Sequence, residues 1–97
     1  MISVKWESPA QDRHEAWALQ IAIEFSMTHA QTYLAEIQSS EAKIAVHPDI
    51  GTDFESTRKG LKRFVTPSGY SVFYQLDDLQ NPTQAIIISI VRGQQGL

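Results

Sequence analysis

The stretch that decides the fold is AIIISIV, residues 85–91, because six of its seven positions are apolar. An unbroken apolar run of this length is typical of a strand that is buried on both faces. We therefore expect it to be central in its sheet. It follows a polar connection over residues 77–84 that contains the turn-forming pair Asn81-Pro82.

Two alternating segments precede this strand. The side chains alternate from one face of the predicted strand to the other, with period two, over residues 60–66 and again over residues 70–76. The sequence Pro67-Ser68-Gly69 lies between these two segments. Proline presets one turn angle and glycine accepts a positive φ, so the pattern predicts a β-hairpin. Together with residues 85–91, the hairpin forms a three-stranded antiparallel meander.

The first half of the chain predicts one strand and two helices. Apolar and polar residues alternate over positions 2–7, which predicts a half-buried strand. A helix then starts at Ser8-Pro9-Ala10-Gln11, where Ser8 caps, and continues to about Ser26. A second starts at the capping pattern Thr28-His29-Ala30-Gln31 and is stopped by Pro48 and Gly51. One or two residues join these helices, which indicates a helix hairpin.

The order of elements predicts an α+β fold, β-α-α-β-β-β, in one domain over residues 1–97. The helices pack on one sheet face, and the first strand can pair parallel with another after its helical crossover. The opposite face is only partly covered, and we expect a binding site there. The predicted core contains Trp6, Trp17, Phe25, Leu34, Ile37 and the isoleucines of the last strand.

Composition narrows the function classes. The chain has 97 residues, no cysteine and a net charge of −3. The missing cysteines exclude a disulfide framework and a cysteine zinc site, and they fit a reducing compartment. No membrane span or signal-peptide pattern is present, so we expect a cytoplasmic protein without a membrane partner. The histidines lack metal-ligand spacing and no catalytic motif stands out, so we assign no catalytic residue, metal or cofactor.

The charge is divided unevenly along the chain. Residues 1–50 hold three basic and seven acidic groups, a sum of −4, and residues 51–97 hold five basic and four acidic groups, a sum of +1. Four of those basic groups lie between Arg58 and Arg63. They form either a solvated strand edge or a contact site for phosphate or an acidic protein. Tyr70 and Tyr74 are likewise either half-buried aromatics or a recognition surface.

Several segments in order resemble a known family. They are WESPAQD at 6–12, HPDIG at 47–51, GLKRF at 60–64, GYSVFYQ at 69–75 and ISIVRGQQ at 88–95. This series resembles the RelE/ParE superfamily of toxins from type II toxin–antitoxin systems. The resemblance covers nearly the whole chain and implies the same fold. RelE-like members cut messenger RNA on the ribosome, ParE-like members inhibit DNA gyrase, and a cognate antitoxin holds either kind inactive.

The tail of the chain favours the ParE-like branch. RelE-like members are usually strongly basic and carry cationic, histidine or tyrosine side chains near the C-terminal end. Here only Arg92 represents that set, and no histidine or tyrosine follows Tyr74. The resemblance therefore implies a gyrase inhibitor that arrests growth through a protein–protein surface and forms a hetero-oligomer with its antitoxin.

The residues expected to face the target are basic or aromatic: Arg58, Lys59, Lys62, Arg63, Tyr70, Tyr74 and Arg92. Arg63 shares a face with Leu61 and Val65, so it is alternatively half-buried and paired with a carboxylate. Two other functions stay open. One is a ribosome-dependent messenger RNA endoribonuclease, and the other is an inactive binding module of the same fold.

Overall fold

The computed structural model describes residues 1–54 and 60–92. Its elements, in chain order, are β1 (Ser3–Trp6), α1 (Ser8–Glu24), α2 (Met27–Val46), β2 (Thr52–Asp53), β3 (Leu61–Val65), β4 (Tyr70–Leu76) and β5 (Gln84–Arg92). The predicted α+β fold is confirmed, with the antiparallel meander formed by β3, β4 and β5. The two-residue strand β2 was not predicted; it pairs antiparallel with β3.

The strands form one mixed sheet in the order β1-β5-β4-β3-β2. Strand β5 lies inside the sheet, as its apolar sequence predicts, between a parallel partner β1 and an antiparallel partner β4. The middle strand is β4. Phe73 pairs with Ser89 and Tyr74 pairs with Ile87, which leaves Ile88 as an extra residue in a β-bulge.

Both predicted helix starts are wrong by a short distance. Glu7 occupies the position before α1 and makes no side-chain cap, so Ser8 is already helical and Pro9 follows it in the first turn. Helix α2 is capped by Ser26, whose Oγ accepts a hydrogen bond of 3.1 Å from the amide of His29. The start is therefore two residues earlier than a cap at Thr28 requires. The hairpin itself is confirmed, because only Phe25 and Ser26 separate the two helices.

The core lies between the helix hairpin and one face of the sheet. Residues that are buried there come from α1, α2, β4 and β5: Ile21, Ala30, Tyr33, Ile37, Ile44, Val72, Tyr74, Leu76, Ala85, Ile87 and Ile90. Of the predicted core, Ile37 is buried, and Trp6 and Trp17 are half-buried against this cluster.

Two predicted core residues are exposed instead. Phe25 is 53% exposed and Leu34 is 43% exposed. Phe25 lies at the tip of the hairpin, beyond the last residue of α1. Leu34 follows the buried Tyr33, and consecutive helical residues point about 100° apart. Helices that cover a single sheet face leave their outer sides in solvent, which explains both errors.

The far face of the sheet is covered near its centre. Phe73 of β4 is fully buried there, although it does not belong to the helix-side core. The ring of Phe54 packs edge-on against it, with ring centroids 4.9 Å apart. Leu61 of β3 is also buried. This part of the far face is therefore closed by the chain itself.

Candidate functional site: a groove at the hairpin tip

An open groove of about 450 Å³ lies between the tip of the helix hairpin and the adjoining ends of β4 and β5. Its walls are aromatic, apolar and hydroxyl-bearing side chains with one cation: Ile21, Phe25, Thr28, His29, Thr32, Tyr33, Ser68, Tyr70 and Arg92. We call it the hairpin groove. The groove lies on the helix side of the sheet. The sequence predicts a binding site on the opposite face, and that prediction does not match the position of this concave surface.

Two residues that the sequence singled out meet in this groove. Tyr70 and Arg92 are directly paired across the antiparallel strands β4 and β5. Directly opposed residues of an antiparallel pair point to the same face of the sheet, about 5 Å apart at Cβ. The pairing register therefore brings an aromatic ring and a guanidinium together, although 22 positions separate them in the chain.

Arg92 is held against an aromatic wall. Its guanidinium carbon lies 5.7 Å from the ring centroid of Phe25, and the ring of Phe25 lies 5.8 Å from that of His29. A guanidinium over an aromatic face is attracted by the ring quadrupole and still presents its N–H donors at its edge. Arg92 is the one formally charged side chain among the described residues that line the groove. The groove therefore favours an anionic group beside an apolar one.

The floor of the groove is a buried and neutral phenol. Tyr33 packs edge-on against Tyr70 with centroids 4.8 Å apart, and its hydroxyl lies 2.8 Å from Nδ1 of His14. Burial raises the pKa of Tyr33, and the neighbouring Tyr70 raises it further. Burial also lowers the pKa of His14, against a smaller opposing effect of Glu15. Tyr33 therefore keeps its proton and contributes shape rather than charge.

His14 makes a second ring contact, with Trp6. Its ring lies 4.7 Å from that of Trp6, whose Nε1 donates a hydrogen bond of 3.2 Å to Glu41. Burial raises the pKa of Glu41, and the bond from Trp6 opposes that rise. A continuous series of ring contacts thus runs from β1 to Tyr70. It connects the groove floor to the edge strand β1.

The rim opposite the hairpin tip is tied to α2. Glu36 accepts hydrogen bonds from the amide of Ser68, at 2.9 Å, and from the Ser68 hydroxyl. Partial burial raises the pKa of Glu36, but the bonds from Ser68 and Thr66 outweigh it and lower the pKa overall. The turn between β3 and β4 is therefore fixed against α2, which keeps the groove open at this end.

Two of the residues expected to face a target are structural instead. Tyr74 is fully buried; its hydroxyl donates to the carbonyl of Pro48 at 2.7 Å and accepts from the amide of Gly51 at 2.9 Å. Burial raises the pKa of this phenol. Lys62 is buried as well, and its Nζ lies 2.9 Å from Asp53 of the edge strand β2. Both side chains are occupied in holding the loop after α2 and the strand β2.

Arg63 lies on the other side of the sheet from Arg92. It pairs with Phe73, whose ring belongs to the far face, whereas the adjacent Phe64 packs against the helix-side core. Its guanidinium carbon lies 5.4 Å from the ring centroid of Phe54, and its buried Nε has no hydrogen-bond partner among the residues that the structure describes. The half-buried position agrees with the alternative interpretation of Arg63. The expected carboxylate partner is not found in residues 1–54 and 60–92.

The remaining two predicted contact residues, Arg58 and Lys59, lie outside the described residues. The basic segment is thus not seen as one surface: Lys62 and Arg63 point to opposite faces, and Arg92 joins Tyr70 at the far end of the sheet. The sequence missed Phe25, His29 and Tyr33 as groove residues. Their only local signals are helical ones, because the contact that unites them with β4 and β5 is long-range.

In the described part of the chain, no group of three or more histidine and acidic side chains is arranged to hold a metal ion. Among the same residues, no helix combines the length and the apolar character that a bilayer crossing requires.

The fold is shared with solved toxin structures. A structure titled "Chromosomal ParDE TA system from P. aeruginosa" superposes with a TM-score of 0.74 at 16% identity, over 97% of this chain and 98% of the other. The isolated E. coli RelE toxin gives a TM-score of 0.62 at 11% identity, over 99% and 88%. A chain of the intact E. coli RelBE toxin–antitoxin complex gives 0.63 at 12% identity, over 98% and 100%.

The family to which the chain belongs is shown by its sequence. No curated protein matches the chain in sequence. The family model described as "ParE toxin of type II toxin-antitoxin system, parDE" matches residues 4–96. The chain therefore belongs to the ParE toxin family of type II toxin–antitoxin systems.

Proposed function

We propose that the protein is a toxin that inhibits DNA gyrase through a protein–protein surface and is neutralised by a cognate antitoxin. The observation that carries the proposal is the separation of Arg63 and Arg92 onto opposite faces of the sheet. Cleavage of RNA requires cationic groups that converge on one phosphate, together with a proton donor and acceptor. A binding surface has no such requirement, and membership of the ParE family supports this branch.

The target-facing residues in this proposal are Tyr70 and Arg92 in the hairpin groove, because Arg63 lies on the opposite face of the sheet and does not share one surface with them. Tyr70 and Arg92 are accessible from the groove, and Arg63 is half-buried. Arginine and tyrosine are the residue types that dominate binding energy at interfaces. An antitoxin partner is supported by the structural similarity to chains of ParDE and RelBE systems.

The experiment is a supercoiling assay with purified gyrase and purified protein. We expect inhibition by the unaltered chain and its loss in the variant Arg92→Glu. The matched control is Arg13→Glu, which makes the same change in net charge at an exposed position outside the proposed surface. Inhibition that persists in the first variant, with its fold intact by circular dichroism, would refute the surface.

The groove gives one reason to test an endoribonuclease as the second candidate. It places Arg92 beside Tyr70 and His29, and these residue types can bind and polarise a phosphodiester. Addition of the protein to a translating extract separates the two functions. Cleavage of messenger RNA at codon positions on the ribosome, with gyrase unaffected, would replace the gyrase proposal.

An inactive binding module is the third possibility. Expression of the chain alone in bacteria tests it, because a toxin of either kind arrests growth and a binding module does not. We expect arrest, and we expect co-expression of the antitoxin to relieve it. Normal growth at high expression of folded protein would contradict both toxin functions.

A further inference from the structure

One side of the hairpin groove is lined by hydrogen-bond donors around a single positive charge. Thr28 and Thr32 lie four positions apart on α2, so their hydroxyls share one side of the helix, and both line the groove. Among the residues that the structure describes, neither hydroxyl has a hydrogen-bond partner. Arg92 supplies the charge, and no carboxylate is among the described lining residues. This side of the groove therefore suits an anion.

His29 adds a donor whose place on the ring is set by the helix cap. The Oγ of Ser26 accepts a hydrogen bond from the His29 amide and lies 2.7 Å from Nδ1 of the same residue. The hydroxyl proton of Ser26 then satisfies Nδ1 as an acceptor, which leaves the proton of a neutral imidazole on Nε2. The ring consequently offers an N–H donor at Nε2 in either protonation state.

The donors exceed what a carboxylate accepts. The guanidinium of Arg92 alone matches both oxygens of a carboxylate in a bidentate pair, which would leave the two threonines and His29 unused. A phosphate monoester has three terminal oxygens and a charge of about −1.5 to −2 at neutral pH, so it accepts from all of them. Ser68 is not counted, because its hydroxyl donates to Glu36. A di- or triphosphate would bring further negative charge that no second cation in the described lining balances.

The other side of the groove suits a flat apolar group. Ile21 and Tyr33 are buried at its base, and Tyr70 stands edge-on to Tyr33 with ring centroids 4.8 Å apart. Phe25 forms the wall on which the guanidinium of Arg92 rests. Aromatic walls of this kind pack a further ring in offset or edge-on contact. The volume of about 450 Å³ is typical of sites for small organic ligands.

We propose that the hairpin groove is a binding site for a nucleoside monophosphate. Its phosphate pairs with Arg92 and accepts hydrogen bonds from the two threonine hydroxyls and from His29, and its base packs against Tyr70. The ligand covers Tyr70 and Arg92, which the proposed function assigns to the gyrase contact. A bound nucleotide therefore competes with gyrase, a consequence that rests on the proposed function.

The first test is NMR titration of the full chain with AMP, adenosine and inorganic phosphate. We expect AMP to shift the resonances of Thr32, Tyr70 and Arg92. It should bind roughly tenfold or more tightly than either fragment, because only AMP uses both sides of the groove. Arg92→Gln should weaken AMP binding about tenfold or more, and Thr32→Val about three- to tenfold. The matched control Arg13→Gln, at an exposed position on α1, should keep the original affinity.

The kind of anion is tested with phenyl phosphate and benzoate, which share one ring. Phenyl phosphate should bind more tightly, and equal or reversed affinities would overturn the assignment of phosphate.

Three other results would overturn the site itself. They are AMP binding no tighter than inorganic phosphate, resonance shifts that map away from the groove, and unchanged AMP affinity in Arg92→Gln. Where Arg92→Gln is unfolded by circular dichroism, Thr28→Val plus Thr32→Val takes its place, since both positions are exposed. Unchanged AMP affinity in that double variant would equally refute the site.

The second test separates this inference from the proposed function. It measures the binding of purified gyrase to the immobilised chain without ATP, in the absence and presence of saturating AMP, and we expect AMP to lower it. If gyrase binds but the chain does not take up AMP, the nucleotide site is refuted and the gyrase proposal stands. If AMP binds in the groove but gyrase does not bind the chain, the site stands and the gyrase proposal is refuted. Simultaneous binding of both would refute the competition.

Discussion

The hydroxyl oxygen of Tyr74 lies 2.9 Å from the amide nitrogen of Gly51 and accepts its hydrogen bond. The same hydroxyl donates to the carbonyl of Pro48 at 2.7 Å. One fully buried phenol on β4 therefore holds the loop that leaves α2 and leads to β2. This arrangement explains why Pro48 and Gly51, which the sequence suggests only as helix breakers, occupy these positions.

Tyr74→Phe tests the contribution of this hydroxyl to folding. The substitution keeps the ring but leaves the Gly51 amide and the Pro48 carbonyl without their partner. We expect the free energy of unfolding to fall by about 1–3 kcal/mol, measured by urea denaturation. Thr52→Ala, at an exposed position of the adjacent strand, should change it by less than about 0.5 kcal/mol. Equal stability of both variants would show that water replaces the hydroxyl.

Gly51→Ala tests the close approach itself. A Cβ at this position would lie 2.7 Å from the hydroxyl oxygen of Tyr74 and 2.8 Å from its Cε1. The ring is enclosed and has no room to retreat, so the loop must shift. We expect a loss of about 1–3 kcal/mol in unfolding free energy. A melting temperature equal to that of the unaltered chain would contradict rigid packing of the loop against Tyr74.

Ile37→Ala and Leu34→Ala form a matched pair on α2. The sequence predicts both residues in the core, whereas the structure buries only Ile37. We expect Ile37→Ala to lower the unfolding free energy by about 2–5 kcal/mol, because it removes buried methyl groups and leaves a cavity. Leu34→Ala should cost less than about 1 kcal/mol. Comparable losses would place Leu34 in a buried environment and contradict the packing of α2.

His14 makes stability depend on pH. Burial lowers its pKa in the folded state below its ordinary value of 6.5. Well above pH 6.5 the ring is neutral in both states and has no effect. As the pH falls below 6.5, the unfolded chain takes up the proton first, so the folded state loses stability until its own pKa is reached. Urea unfolding at pH 7.5, 6.5 and 5.5 measures this loss.

The control for His14 is the variant His14→Gln. It keeps a polar side chain near the Tyr33 hydroxyl and cannot titrate in this range. The decrease in unfolding free energy between pH 7.5 and 5.5 should be smaller in the variant than in the unaltered chain. Identical pH dependence in the two proteins would mean that His14 takes up its proton equally well in the folded state.

The strands of this fold follow from short-range patterns. The alternation over residues 60–76 and the Pro67-Ser68-Gly69 turn predict the β3–β4 hairpin, and Gly69 adopts the positive φ of 91° that the turn needs. The apolar run at 85–91 likewise predicts an interior strand. Strand β2 escaped prediction because two residues are too few for any periodicity.

Short-range patterns do not predict the exact starts of the two helices, nor which residues come together in the groove. Ser8 and Thr28 both fit capping patterns, yet the position of the last residue of β1 and the tightness of the hairpin select Glu7 and Ser26 instead. The sequence indicates Tyr70 because it is an aromatic residue on a predicted strand and Arg92 because it is a basic residue near the end of the chain. Only the strand register joins them, and only the tertiary contact with α1 brings Phe25 beneath Arg92.

The parallel pairing of β1 with β5 has a consequence for biosynthesis. The first strand of the described chain has to wait for the last one before it gains its hydrogen-bonded neighbour. Contacts between such distant segments form late in folding, because the intervening loop must first be closed. Arg92 is itself on β5, so the groove does not exist on a nascent chain that lacks this strand.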